Sequence, residues 1–244
     1  MRRRRGLALC TAALACAAVV CAAAAQTTPK KPGAQSARGR AAAASAAAAS
    51  AAAAAAATAA DYAQRFATVC VACHGPGGRS EQTGVPVLAG QHSFYVITQL
   101  FLFREGRRDN PAMTAVAKTM TDADLRGFSD YIGTLPPAAA ASQPTAADPQ
   151  RMANGRALAQ LHKCVFCHGA DFAGGQQVPR IAGQREEYLR DTLHGFRTGK
   201  RPGYTQAMIG ALAVVPPEDL DTLAHYAAHF PAAPAGAPAA TAGK

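Results

Sequence analysis

Apolar and polar positions divide this chain into stretches of different character. Leu7 to Val20 is an apolar stretch behind four arginines, Arg2 to Arg5. Residues 26–60 carry no hydrophobic pattern. "QTTPKKPGAQSARGR" is polar and cationic, and "AAAASAAAASAAAAAAATAA" (41–60) contains no Leu, Ile, Val or Phe. From residue 61 large apolar side chains return in short groups, bounded by Gly, Pro and capping residues. No group alternates as a half-buried strand would, so the predicted fold class is all-α.

Three helices are predicted in the first part. Asp61 opens a short helix that ends at "CVACH". Ser93 caps a second helix that breaks at Gly106. Thr121 caps a third, with Asp122 and Asp124 in its first turn where the helix dipole favours them. The same plan then recurs, with helices starting near Pro149, Arg185 and Pro217. The recurrence is a repeat. "CVACH" and "CVFCH" lie 94 residues apart, and "VPVLAGQ" (85–91) and "VPRIAGQ" (178–184) lie 93 apart. Tyr95, Leu100, Phe103, Gly106 and Arg108 match Tyr188, Leu193, Phe196, Gly199 and Arg201 at that offset, and Met113 matches Met208 at 95. The proline-rich "TLPPAAAASQPTAADPQ" lies between the copies.

These patterns give a leader at 1–25, a disordered, Ala-rich tether at 26–60 and a first domain at 61–135. A linker at 136–150, a second domain at 151–231 and a flexible tail at 232–244 follow. The leader reads as an export signal: a basic start, an apolar stretch too short to span a bilayer comfortably, and a small-residue cleavage site at Ala23-Ala24-Ala25. A lipoprotein reading fails on the residues before Cys16 and Cys21, since Ala13-Leu14-Ala15 lacks an opening leucine and Val20 is branched.

Composition changes the picture in two ways. Aromatics are 6% and Trp is absent, so two small domains need something besides side chains to fill their cores. Cleavage of the leader removes three of seven cysteines, and the other four all lie in the two Cys-x-x-Cys-His motifs. The net charge of +10 sits largely ahead of residue 61, beyond which 17 basic side chains face 15 acidic ones. That balance leaves no basic stripe for nucleic acid. The second domain is the more basic of the two.

Cysteines at i and i+3 with His at i+4 share one side of a helical turn. Two thiols can then bond neighbouring points of one flat ligand while the imidazole addresses its centre. This is the chemistry of c-type haem. Cys70, Cys73 and His74 are the candidates for one haem, and Cys164, Cys167 and His168 for another. Four thiolates with two adjacent histidines suit tetrahedral zinc poorly, and the βαβ setting of a redox dithiol is absent. Met113 and Met208 follow their histidines by 39 and 40 residues and pair across the repeat. They are the candidate distal ligands, which would raise the potential and close each iron to substrates. Met120 and Met152 have no such pairing and are set aside. So are His92, His162, His194, His225 and His229, read as surface or packing residues.

The leader, the two haem motifs, "PxLAGQ", the "YxxxQLxxFxxGxR" helix and the Met before "TDADL" resemble the dihaem cytochrome c4 family over roughly 61–230. The resemblance implies tandem cytochrome-c domains related by a pseudo-twofold axis, with haems close enough to exchange electrons. It implies that Pro86 and Pro179 accept the ring N–H of His74 and His168. It also implies a periplasmic monomer, loosely membrane-associated at most, that carries electrons from a bc1-type donor to a terminal oxidase. The tether and "DTLHGF", which lacks the glutamine of "TQLFLF", depart from the family pattern and bear on attachment and partner choice. Two other functions stay open: the cytochrome subunit of a flavoprotein such as sulfide dehydrogenase, and a dihaem enzyme with one open iron.

Overall fold

The computed structural model describes residues 34–201 and 206–232. The leader, the start of the tether and the tail beyond Ala232 lie outside them. Helix α1 runs Ala34–Val69, which corrects the expectation of a disordered tether and a short helix opening at Asp61. The reason is continuity. Alanine has the highest helix propensity, and no Gly or Pro interrupts residues 41–69. The alanine positions described are exposed, as a tract with no amphipathic face must be. The last turns of α1 enter a core through Tyr62 and Phe66.

The first repeat continues with α2 (Val71–His74), a 3-10 turn at Pro76–Gly78, α3 (Ser93–Arg104), α4 (Pro111–Ala117) and α5 (Asp122–Thr134). The second has α6 (Pro149–Leu161), α7 (Cys164–His168), α8 (Glu186–Arg197) and α9 (Gln206–Ala213). A 3-10 turn at Pro217–Asp219 then leads into α10 (Leu220–His229). Among the described residues the only β pairing is an isolated bridge between Gly175 and Val178, so the fold is all-α. No helix among them is long and apolar enough to cross a membrane.

Caps explain several starts. Asn110 accepts from Met113 N at 2.9 Å and Asp148 from Arg151 N at 2.6 Å, each with a proline in the first turn. Thr121 and Asp124 form a reciprocal capping box. Ser93 does not cap α3. It is the first helical residue, and it lies where a Cβ on Gly133 would come within 2.1 Å of its hydroxyl. Helices α4 and α9 occupy segments expected to be loops, because 7 and 8 residues are too few to show a helical period. The linker is strapped onto the second half. Ala140 N donates to Gly183 O at 2.8 Å, and Gln143 Nε2 to the carbonyls of Gln184 and Ala228.

In each half the first long helix crosses the last, and a glycine admits an aromatic ring. Tyr62 on α1 lies over Gly127 on α5, stacked edge-on against Phe128 at 5.1 Å. In the second half the roles reverse: Gly155 on α6 receives Tyr226 of α10. A Cβ on Gly155 would stand 2.4 Å from that of Tyr226. Gly155→Ala should therefore lower stability by about 1–3 kcal/mol, read as a lower denaturant midpoint with unchanged slope.

Arg65 binds Asp124 at 2.7 Å where α1 meets α5. Burial works against the Asp124 carboxylate, but the Thr121 N–H and hydroxyl and the Arg65 guanidinium outweigh it and hold it down at about 2. A depressed carboxylate stabilises above its unfolded pKa of 3.8 and loses that contribution as pH falls towards 2. Asp124→Asn should destabilise at pH 7, and the gap to wild type should close between pH 4 and 2 in acid unfolding followed by circular dichroism.

Candidate haem sites

Each cysteine motif forms one tight helical turn. Cys73 N and His74 N both reach the Cys70 carbonyl, at 3.2 and 2.9 Å. Gly75 then takes φ 75, ψ 165, a region closed to side chains. A Cβ there would sit 2.4 Å from Arg79 O. Gly169 repeats this after His168, at φ 81, ψ 160. Cys73 and Cys167 are exposed and Cys70 and Cys164 half-buried. Burial pushes the Cys70 thiol up to about 11.

His74 and His168 are buried. His74 Nδ1 lies 2.9 Å from Pro86 O, and His168 Nδ1 lies 3.1 Å from Pro179 O. A carbonyl only accepts, so each Nδ1 carries the proton and each Nε2 keeps its lone pair. Burial lowers both imidazole pKa values against the opposing pull of the carbonyls, which keeps the rings neutral near pH 7. Neutral, oriented imidazole is what iron ligation requires.

All ten residues singled out in the sequence line one apolar cavity of about 450 Å³. Cys70, Cys73, His74, Pro86 and Met113 come from the first half. Cys164, Cys167, His168, Pro179 and Met208 come from the second. Met113 rides on α4 and Met208 on α9. Met120 also reaches the wall, whereas Met152 packs into the second core. His162 lines the cavity with its Nε2 buried and without a hydrogen-bond partner among the described residues. His92 bonds Ala173 O at 2.8 Å and His194 bonds Asp221 at 2.7 Å. His225 is fully buried between Asp148 N and Glu186.

The halves meet through residues the repeat places at matching positions. Arg108 donates to Tyr188 OH at 3.1 Å, and Arg201 to Tyr95 OH at 3.2 Å. Arg108 also binds Gln99, and Arg201 binds Thr192, each at 2.6 Å. Burial alone would raise the Tyr188 phenol, but the two guanidiniums overrule it and pull it down, while burial pushes Tyr95 up to about 12. Among the described residues neither arginine pairs with a carboxylate. Two guanidiniums facing one cavity without an acidic partner suit the carboxylates of haem propionates. The thiols, the neutral imidazoles, the apolar walls and this cationic seam all fit haem. The sequence showed these Tyr and Arg positions as matched pairs without revealing their task; the matching itself was the signal.

The fold and the two sites define a tandem c-type cytochrome. Two family models match, one described as cytochrome c oxidase, cbb3-type, subunit III over residues 57–132 and one as cytochrome c over 152–229. Cytochrome c4 of Thiocapsa roseopersicina is 34% identical over 169 residues, covering 65% of this chain and 85% of that protein. The thiosulfate dehydrogenase electron acceptor of Thiomonas intermedia is 32% identical, covering 61% of this chain and 71% of that one. Among solved structures, reduced cytochrome c4 from Pseudomonas stutzeri superposes with a TM-score of 0.63 at 27% identity, covering 70% of this chain and 98% of that one. The chain belongs to the cytochrome c4 family. It is an electron carrier with two covalently bound haem c groups.

Proposed function

We propose that this protein is a periplasmic shuttle that takes electrons from a bc1-type donor and delivers them to a terminal oxidase. Cys70/Cys73 and Cys164/Cys167 would form the thioether links. His74 with Met113, and His168 with Met208, would hold the two irons. Pro86 and Pro179 orient the proximal rings through their carbonyls. Each bound haem supplies a one-electron Fe(III)/Fe(II) couple. The single observation behind the reading is that both sites bring a cysteine pair, an oriented neutral imidazole and a thioether to one cavity. A thioether from Met113 or Met208 on each iron would favour the reduced state and exclude small ligands, as a carrier needs. The apolar walls limit solvent access to the sites, and Arg108 and Arg201 offer the propionates fixed cations. The basic start and short apolar stretch at 1–25 support export to the periplasm, with loose membrane association at most.

The oxidase as acceptor draws support from the cbb3-type subunit model over the first half. A second reading, acceptance of electrons from a thiosulfate-oxidising enzyme, draws support from the relative named for that role. The two are compatible if thiosulfate oxidation feeds the same oxidase. Adding the protein to oxidase-containing membranes should accelerate oxygen uptake from either donor. No acceleration from a bc1-type complex, with acceleration from the thiosulfate enzyme, would favour the second reading.

Intact mass should exceed the cleaved chain by two haem groups, and Cys164→Ser/Cys167→Ser should reduce the excess to one. A wild-type gain of one or none would end this reading.

Met113→Ala and Met208→Ala should each lower one midpoint potential, by a sizeable part of the ~0.8 V that axial ligation spans. Each should weaken the near-infrared methionine–haem band of the oxidised protein and admit cyanide at one site. Met120→Ala should leave all three readouts at wild-type values, and the reverse outcome would reassign the first distal ligand.

A further inference from the structure

Gln91 and Gln184 close the two "AGQ" segments, and both are buried at the seam between the halves. Each makes two complementary bonds to one residue of the other half. Val87 N donates to Gln184 Oε1 at 2.6 Å, and Gln184 Nε2 donates to Val87 O at 3.0 Å. Arg180 N donates to Gln91 Oε1 at 2.9 Å, and Gln91 Nε2 donates to Arg180 O at 2.9 Å. The backbone partners dictate which end of each side-chain amide is oxygen.

The position of these bonds gives them reach beyond the seam. Val87 N–H and Pro86 C=O belong to one peptide group, and that carbonyl takes the Nδ1–H of His74. Arg180 N–H and Pro179 C=O likewise belong to one peptide group, which takes the Nδ1–H of His168. An unbroken chain therefore runs from each imidazole, through one peptide, to the glutamine of the opposite half.

We propose that Gln91 and Gln184 are crossed positioning residues, each setting the electron density on the proximal imidazole of the other half. A peptide that donates through N–H becomes a stronger acceptor at its carbonyl, and linked hydrogen bonds reinforce one another by roughly 10–30% per bond. A stronger acceptor at Nδ1–H raises the basicity of Nε2 as an iron ligand, which stabilises the ferric state. The bond across the seam thereby makes the potential of each haem depend on how the other half is seated. The inference rests on His74 and His168 being the proximal ligands.

The test uses the holoprotein carrying Gln184→Met or Gln91→Met, which keep side-chain length and lose both crossed bonds; Gln184→Met also removes the acceptor of Arg185 N–H, 3.0 Å from Gln184 Oε1. Two readouts are taken: the Nδ1–H proton shift of each histidine in the reduced, 15N-histidine-labelled protein, and the ferrous-to-ferric ratio of each haem at fixed potential. Gln184→Met should move the His74 proton upfield and raise the ratio at the first haem several-fold, leaving His168 and its haem at wild-type values. Gln91→Met should give the mirror result. Gln184→Glu retains an acceptor oxygen and should leave the first haem's ratio at or below wild type, which a loss of packing alone would not do. If Gln184→Met does not load haem, Gln91→Met and Gln91→Glu carry the same crossed test. A response at the haem of the substituted half, equal movement of both, or no movement would overturn the proposal. Oxidised wild type in which haem paramagnetism leaves His74 and His168 unshifted would instead overturn the ligand assignment beneath it.

Discussion

The peptide between Pro86 and Val87, and its counterpart between Pro179 and Arg180, is fixed from both sides. Its carbonyl holds a buried imidazole, and its N–H is held by the other half. The bond across the seam could not form if the halves slid past one another by even an ångström, since hydrogen bonds weaken steeply with distance and angle. The seam and the two sites are therefore one structural problem. The left-handed glycines after each motif, the docked linker and the matched glutamines all serve to place that peptide. A proline precedes each N–H in question, and its own missing donor leaves nothing to compete at that turn.

Charge at the seam follows from the same constraint. A pair of guanidiniums near buried phenols is costly unless an anion completes it. Arg108 and Arg201 also lie over Phe103 and Phe196, at 4.4 and 5.0 Å, so each cation has a ring face on one side and the cavity on the other. The carboxylates of bound haem would supply that anion. Attachment of haem and docking of the halves should reinforce each other for this electrostatic reason, over and above the apolar area that the rings cover.

Much of this was legible in the sequence because it rests on local rules. The cysteine spacing, the adjacent histidine and the Thr121 cap are short-range signals, Met113 and Met208 stood at matched places in the repeat, and the structure brings the four cysteines, two histidines and two methionines to one cavity. What was not legible depends on neighbours distant in sequence. The fusion of the alanine tract with the first helix needed only propensity, yet low complexity argued for disorder. Gln91 and Gln184 stood in a repeated segment, but their partners lie 89 to 97 residues away. Helices α4 and α9 are too short for periodicity to reveal them.

The repeat is not a copy: Thr192 stands at the seam where the first half has Gln99, and Val215 lines the cavity where the first half has Met120. The second half buries a polar node, with Glu186 held by Thr145, Arg151 and His225, and His225 in turn accepting from Asp148 N. That geometry leaves no lone pair on His225 for an ion at the carboxylate side. Its Nε2 accepts a backbone N–H, so its Nδ1 must carry the proton. The node pins the linker to the start of α8 and so seats the second half without a counterpart in the first. The surfaces differ as well. Phe166, 87% exposed on the attachment turn, stands where the first half has Ala72, and Leu161 and Val214 are 70% and 74% exposed. Matched interiors offer both sites the same set of side chains. Unmatched exteriors give the two halves different surfaces, so any difference between them in protein contacts must arise there and not from the seam they share.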